Sequence, residues 1–344
     1  MSLPAVLLAC LLCTGALPAA EPVINLDRPE HITVEAEAAI ARGLRLLVRT
    51  QERDGSWRSP AGYPTAMTSL AGMALLASGS TPVEGPWAGH VRRATDYLLA
   101  SASPSGLIAR VDEEQSCMHG HGFAMLFLAE AIGMERDPQR QSKIRRALEK
   151  AIRLTGQSQS SRGGWLYTPN SGSDEGSVTV TQIQGLRACR DAGIRVPKVI
   201  VDRACKYIAD SANADGGISY RVGQPGSRPA ITAAAVATMY NAGQYEDPVA
   251  LKALEYVKRL LAGNTPGYPS GGHEFYAMLY VGQAMYLSGE DNWNQYFPRV
   301  RDNLIKTQSS SGGWTGDGIG EVYGTSIALL TLQLPYGYLP VFQR

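Results

Sequence analysis

The sequence predicts an all-α protein closed into an (α/α)6 toroid, six outer helices around six inner ones. Three observations carry that expectation. A short cassette recurs along the chain: Gln, a few polar residues, one or two glycines and an aromatic. An amphipathic helix precedes each cassette. A nearly uncharged helix rich in small residues follows it.

The cassette reads Gln51-Glu52-Arg53-Asp54-Gly55-Ser56-Trp57 at its first occurrence and Gln308-Ser309-Ser310-Ser311-Gly312-Gly313-Trp314 at its last. Gly163-Gly164-Trp165 and Asp215-Gly216-Gly217-Ile218 lie between them. The closing aromatic or apolar residues fall at Trp57, Ile108, Trp165, Ile218, Tyr268 and Trp314. Their spacing of roughly 50 residues is that of a two-helix repeat.

The outer helices follow from apolar residues recurring at i, i+3, i+4 and i+7. Ile40, Leu44, Leu47 and Val48 mark the first, then Ile144, Ala147, Leu148, Ala151 and Ile152. Val201, Ala204, Cys205 and Ile208 continue the series, as do Ala253, Leu254, Val257 and Leu261. Arg45, Arg146, Glu149, Arg203 and Lys252 take the opposite face. The inner helices read as Tyr63 to Gly79, His119 to Gly133, Val178 to Gly193, Pro229 to Gly243, His273 to Gly289 and Tyr323 to Leu334. Being apolar or small all round, they are enclosed on every side. Glycines at 79, 133, 193, 243 and 289 are expected as left-handed C-terminal caps. An open solenoid needs polar terminal repeats, whereas the last helix here ends in Leu329, Leu330, Leu332 and Leu334. Closure into a ring is therefore expected.

The chain has 344 residues, 44% hydrophobic and 18% charged, with net charge +1. That composition supports a large core. A sequence pI near 7.6 gives no basic footprint, which argues against nucleic acid as a partner. Met1 to Ala20 is an apolar run ending in small residues and reads as a secretory signal, so the protein is expected to be exported. A linker at 21–34 and one toroid domain of six repeats at 35–344 follow. No other segment is long and apolar enough to span a membrane, so any membrane association is peripheral. Cys117, Cys189 and Cys205 make no metal-ligand spacing. A Cys189–Cys205 bridge and buried free thiols are both open readings.

The Gln-x-x-x-Gly-x-Trp cassettes resemble the QW repeats of squalene–hopene cyclases and the matching repeats of protein prenyltransferase β subunits. The resemblance covers about residues 35–340. The stretch from Tyr323-Gly324-Thr325 to Tyr338-Leu339-Pro340 is similar to exported bacterial proteins of that superfamily. The resemblance implies a terpenoid-cyclase-type toroid that holds an isoprenoid or other lipid in a central apolar cavity, with Trp57, Trp165 and Trp314 as scaffold. The catalytic signatures are absent. No DxDD run supplies the cyclase acid, no Asp-x-Cys supplies the transferase zinc site, and no Gly-Cys-Gly-Glu-Gln thioester motif occurs. No cofactor or metal is expected.

The topology adds a constraint of its own. Every cassette leads into an inner helix, so six inner N-termini gather at one rim, with unpaired N–H groups and positive dipole ends. Polar residues collect at that level. Candidate catalytic groups are His119, His121, Asp174, His273, Glu274 and Glu321. Candidate ligand-binding groups are Tyr63, Phe123, Arg228, Tyr240, Tyr276, Tyr280 and Tyr323. The histidines suit proton exchange near neutral pH, and a desolvated Glu274 or Glu321 suits a general acid. Tyrosine faces suit a cationic centre. Zinc held by His119, His121 and His273 is disfavoured, because residues two apart on a helix diverge by roughly 200°. Two rival readings remain. One is a secreted carbohydrate-active toroid using Asp174 with Glu321, or Glu274 with either. The other is a non-catalytic scaffold.

Overall fold

The computed structural model describes residues 28–263 and 273–343. The expected signal segment, residues 21–27 of the linker and Tyr268 lie outside these residues. Among the described residues there are twelve α-helices. Six amphipathic ones are α1 (Val34–Thr50), α3 (Ala88–Ala100), α5 (Pro138–Ser158), α7 (Lys198–Asp210), α9 (Pro248–Leu261) and α11 (Glu290–Thr307). The alternating apolar ones are α2 (Pro64–Leu76), α4 (Cys117–Met134), α6 (Gly176–Asp191), α8 (Pro229–Asn241), α10 (Glu274–Leu287) and α12 (Glu321–Gln333).

The inner helices pack in the order α2, α4, α6, α8, α10, α12 and back to α2, while α1 packs on both α11 and α12. The ring is closed, and the fold is an (α/α)6 toroid. Local chemistry starts the outer helices. Thr33 Oγ1 accepts from Ala36 N at 3.2 Å, and Asp137 and Asp247 each accept from the backbone N–H two residues on at 2.8 Å. Pro138 and Pro248 occupy first-turn positions, where a missing N–H costs nothing.

The cassettes lock one repeat to the next. The Gln159 amide donates to the carbonyl of Gly163 at 2.8 Å and to that of Ile200, at the start of α7, at 2.9 Å. Gln51 bonds Gly55 and His90 in the same way, both at 3.0 Å. Gln308 closes the circle on Gly312 at 2.8 Å and on Ala39 of α1 at 2.9 Å. Each tryptophan indole reaches back ten residues: Trp57 to Leu47 at 2.7 Å, Trp165 to Thr155 at 2.8 Å, Trp314 to Leu304 at 2.9 Å. The cassette glycine is required by geometry. Gly163 has φ +102°, and a Cβ there would lie 2.2 Å from the Arg203 carbonyl.

Gly133 departs from the expected pattern of glycine caps. Helix α4 runs through it to Met134 and stops at extended Glu135. Glu135 accepts backbone N–H groups of Arg136 and Asp137 and pairs with Arg140, so a carboxylate turn ends this helix.

Every residue of α2, and every residue of α12 after Glu321, is buried. Gln184 Nε2 of α6 donates to Gln283 Oε1 of α10 at 2.6 Å, although α8 lies between those helices in the ring order. At the C-terminal ends of the inner helices the chain's last described segment forms a stopper. Leu339, Val341 and Phe342 are buried there, and Val341 N donates to Glu130 Oε1 of α4 at 3.2 Å. Among the described residues no helix is long and apolar enough to cross a membrane. Cys117, Cys189 and Cys205 are buried free thiols, so the Cys189–Cys205 bridge is not formed.

Candidate functional site at the ring mouth

The rim where inner helices begin gathers several sequence-predicted residues and leaves others apart. His119, half-buried in the first turn of α4, places Nδ1 2.6 Å from Ser116 Oγ and Nε2 3.1 Å from Ser177 Oγ. Its ring stacks on Tyr167 at 6.1 Å between centroids. Burial lowers its pKa to about 4, so it is neutral near pH 7.

Ser177 connects His119 to an acid. Its hydroxyl donates to Glu175 at 2.8 Å. Glu175 is fully buried and caps α6 by accepting from Ser177 N at 2.7 Å and Val178 N at 2.6 Å. Desolvation raises its pKa against those hydrogen bonds. From Glu175 the network passes to phenols on the opposite side of the ring. Tyr276 of α10 donates to the Ser177 carbonyl at 3.5 Å and meets Tyr280 edge-on at 4.8 Å. Tyr323 of α12 donates to Asp317 at 3.2 Å, and Asp317 caps α10 through the N–H groups of Phe275 and Tyr276 at 3.1 and 2.9 Å. Burial and mutual proximity push all three phenol pKa values up. The Tyr280 hydroxyl is buried without an aligned hydrogen-bond partner. Such a group is uncommon in a folded protein and marks a place where a polar atom is wanted.

His121 has a scaffold position. It is fully buried, with Nδ1 accepting from Ile108 N and Nε2 set against Thr155 Oγ1, both at 3.0 Å. Thr68, Thr179, Thr232 and Thr325 serve the other cassettes in the same way, accepting from the N–H of Trp57, Trp165, Ile218 and Trp314. Tyr240 does not join the mouth. It lies near the far end of α8, roughly 16 Å along the axis from the first residue, stacked on Tyr245 at 4.7 Å. The periodicity that placed it on an inner helix carried no information on depth. Arg228 is exposed ahead of α8 and His273 is exposed ahead of α10. Glu274 is half-buried at the start of α10. Glu321 opens α12 and accepts the Ser311 hydroxyl. Tyr63 stands just before α2 at φ +61°, and Phe123 is buried in α4. Among the described residues no three His, Cys, Asp or Glu side chains come together as a metal site.

Asp174 lies apart from the phenols, in the wall of an open cleft of about 610 Å³ between the third and fourth repeats. It is 5% exposed and accepts the Ser160 hydroxyl at 2.7 Å.

Several buried or paired polar groups near the inner helices were not among the sequence candidates. Glu114, beside α2, is buried, accepts from Thr65 N through one oxygen and leaves Oε2 unpartnered. Desolvation raises its pKa to about 7. Glu130 is likewise raised to about 7 by burial, and its position in mid-helix on an otherwise uncharged stretch was the available signal. Tyr167 and Tyr220, whose hydroxyls bond each other, both stand two residues after a cassette's closing residue. That shared register was readable.

No family model matches the chain. The α-onocerin synthase LCD of Lycopodium clavatum is 33% identical over 98 residues, 28% of this chain, and the chain spans only 12% of that synthase's length. Similarity to solved structures extends further. The type II terpene cyclase MstE from Scytonema aligns over 89% of this chain and 99% of its own, with 15% identity and a TM-score of 0.60. The α-1,6-mannanase GH76A of Salegentibacter sp. HEL1_6 aligns over 87% and 98%, with 9% identity and a TM-score of 0.64. At these identities the likeness is one of fold. The chain is an α/α toroid of the kind found in type II terpene cyclases, an architecture the mannanase also adopts.

Proposed function

We propose that this toroid binds an isoprenoid or other lipid-like small molecule at its mouth, with the polar end of the ligand directed into the phenol basin. One observation carries the reading. Tyr276, Tyr280 and Tyr323 converge with Glu175 from α10, α12 and α6, and the Tyr280 hydroxyl beneath Tyr276 is left without an aligned partner. Electron-rich ring faces suit unsaturated or cationic carbon, and the clustered phenol hydroxyls suit a ligand oxygen. The proposed site lies at the rim of the ring, where these phenols are. Export through residues 1–20 belongs to the same proposal.

Native mass spectrometry after incubation with geranylgeraniol tests the reading. Retention of the alcohol by the native chain, and its loss in Tyr276→Ala and Tyr323→Ala, is the expected result. Absence of any adduct with the alcohol in the presence of bound oligosaccharide overturns it.

A further inference from the structure

We propose that the cleft between the third and fourth repeats is a second binding site, built for an acidic sugar chain of the uronate class. The cleft, about 610 Å³, is lined by Arg162, Ser173, Asp174, Tyr220, Arg221 and Gln224 together with backbone of the same loop. That volume is in the range of about 300–1,000 Å³ usual for small-molecule sites.

Charge gives the first half of the argument. Two guanidinium groups face one carboxylate, and neither arginine has an ion-pair partner among the described residues. Arg221 is held in place, with its guanidinium 5.7 Å from the Tyr220 ring centroid. Its Nε is buried without an acceptor. A buried donor lacking an acceptor is costly, and a planar guanidinium in the wall of a cleft matches a carboxylate.

The remaining lining gives the second half. Asp174 has one oxygen engaged by Ser160, which leaves acceptor capacity for ligand hydroxyls beside the cationic pair. Ser173 and Gln224 add donors and acceptors. Tyr220, the aromatic in the lining, is fixed by a hydroxyl contact with the partly exposed Tyr167. Hydroxyl-matching groups, a flat aromatic and paired guanidiniums together fit a hydroxylated ring that carries a carboxylate. A hydrocarbon finds little here. The cleft adjoins the phenol basin, sharing the Tyr220–Glu175 contact with it, but its two arginines belong to the cleft wall.

Titration calorimetry with a trimer of galacturonic acid, a neutral galactose trimer and inorganic phosphate tests the proposal. The acidic trimer is expected to bind about tenfold or more tightly than the neutral one, and added salt should weaken only the acidic complex. Arg162→Gln, at an exposed position that leaves the fold intact, and Arg221→Gln should each weaken the acidic trimer by about tenfold. Both variants should keep the native response to geranylgeraniol. Equal binding of the two trimers overturns the proposal, as does native affinity in the double variant. Phosphate binding as tight as the acidic trimer also overturns it, by reducing the cleft to a bare anion site.

Discussion

His121 Nδ1 accepts the backbone N–H of Ile108 at 3.0 Å, the bond that a threonine hydroxyl makes in four other cassettes. A histidine at the mouth is thereby explained by the ring's own repeat. Removing it should show the cost. His121→Ala leaves the Ile108 N–H buried and unpaired, a loss of about 1–3 kcal/mol. His121→Thr restores the acceptor and should recover part of that loss. Urea denaturation of the two variants beside the native chain measures the difference.

The same histidine, with His119, sets an acid-side dependence. Both hold folded pKa values of about 4 against an ordinary 6.5, so the unfolded chain takes up protons that the folded chain refuses. Their contribution to stability is complete above pH 6.5 and is lost as pH falls toward 4. Thermal melts between pH 7 and pH 4 should show a fall that is shallower in His121→Thr.

Glu130 works in the opposite direction. Its folded pKa of about 7 lies above the ordinary 4.5, so its contribution is complete below pH 4.5 and is lost as pH rises through 7. Glu130→Gln keeps an acceptor for the Val341 N–H and cannot ionise. It should match the native chain near pH 4.5 and exceed it at pH 8 by on the order of 2–3 kcal/mol, read from melts at the two pH values.

The three thiols of the ring are buried and unbridged, and burial pushes the Cys205 pKa up to about 11. A thiol-reactive chromogenic disulfide should leave Cys117, Cys189 and Cys205 unlabelled in the native state and label all three in denaturant. Peptide mass mapping of the labelled sites checks this.

The phenol basin has an optical signature. Tyr276, Tyr280 and Tyr323 resist ionisation through burial, whereas an unfolded tyrosine titrates near pH 10. Ultraviolet titration should show these phenols ionising only as the fold opens in alkali. Phenylalanine at each of the three positions should remove one residue's share of that late step.

Most of the fold was legible because it repeats. The alternation of striped and evenly apolar helices placed the six inner helices and four of the six outer ones, and the inner boundaries shifted by only a few residues. Gly133 misled because a left-handed cap needs the chain to stop there, and a carboxylate two residues later stops it instead. The site was less legible. The structure brings Tyr276, Tyr280 and Tyr323 together near the mouth and leaves Tyr240 at the far end of α8, because sequence period reports the side of a helix and not its depth. The threonine-like task of His121 was not readable from spacing, since it follows its cassette's closing residue by 13 positions where Thr68 and Thr179 follow theirs by 11 and 14. The Gln184–Gln283 bond between α6 and α10 was invisible: an inner helix reads the same whether its side chains border a void or one another.

Joining Gln308 to Ala39 has a consequence for biosynthesis. During synthesis the first pair of helices must wait for the sixth before its open flank is covered, because 269 residues separate those two partners. At about 5–20 residues per second, that delay is on the order of tens of seconds. For that interval the nascent chain is a crescent with an uncovered oily edge, vulnerable to pairing with a neighbour of its own kind. Halting translation just before the last cassette should therefore leave a sticky, protease-sensitive arc in place of a smaller ring.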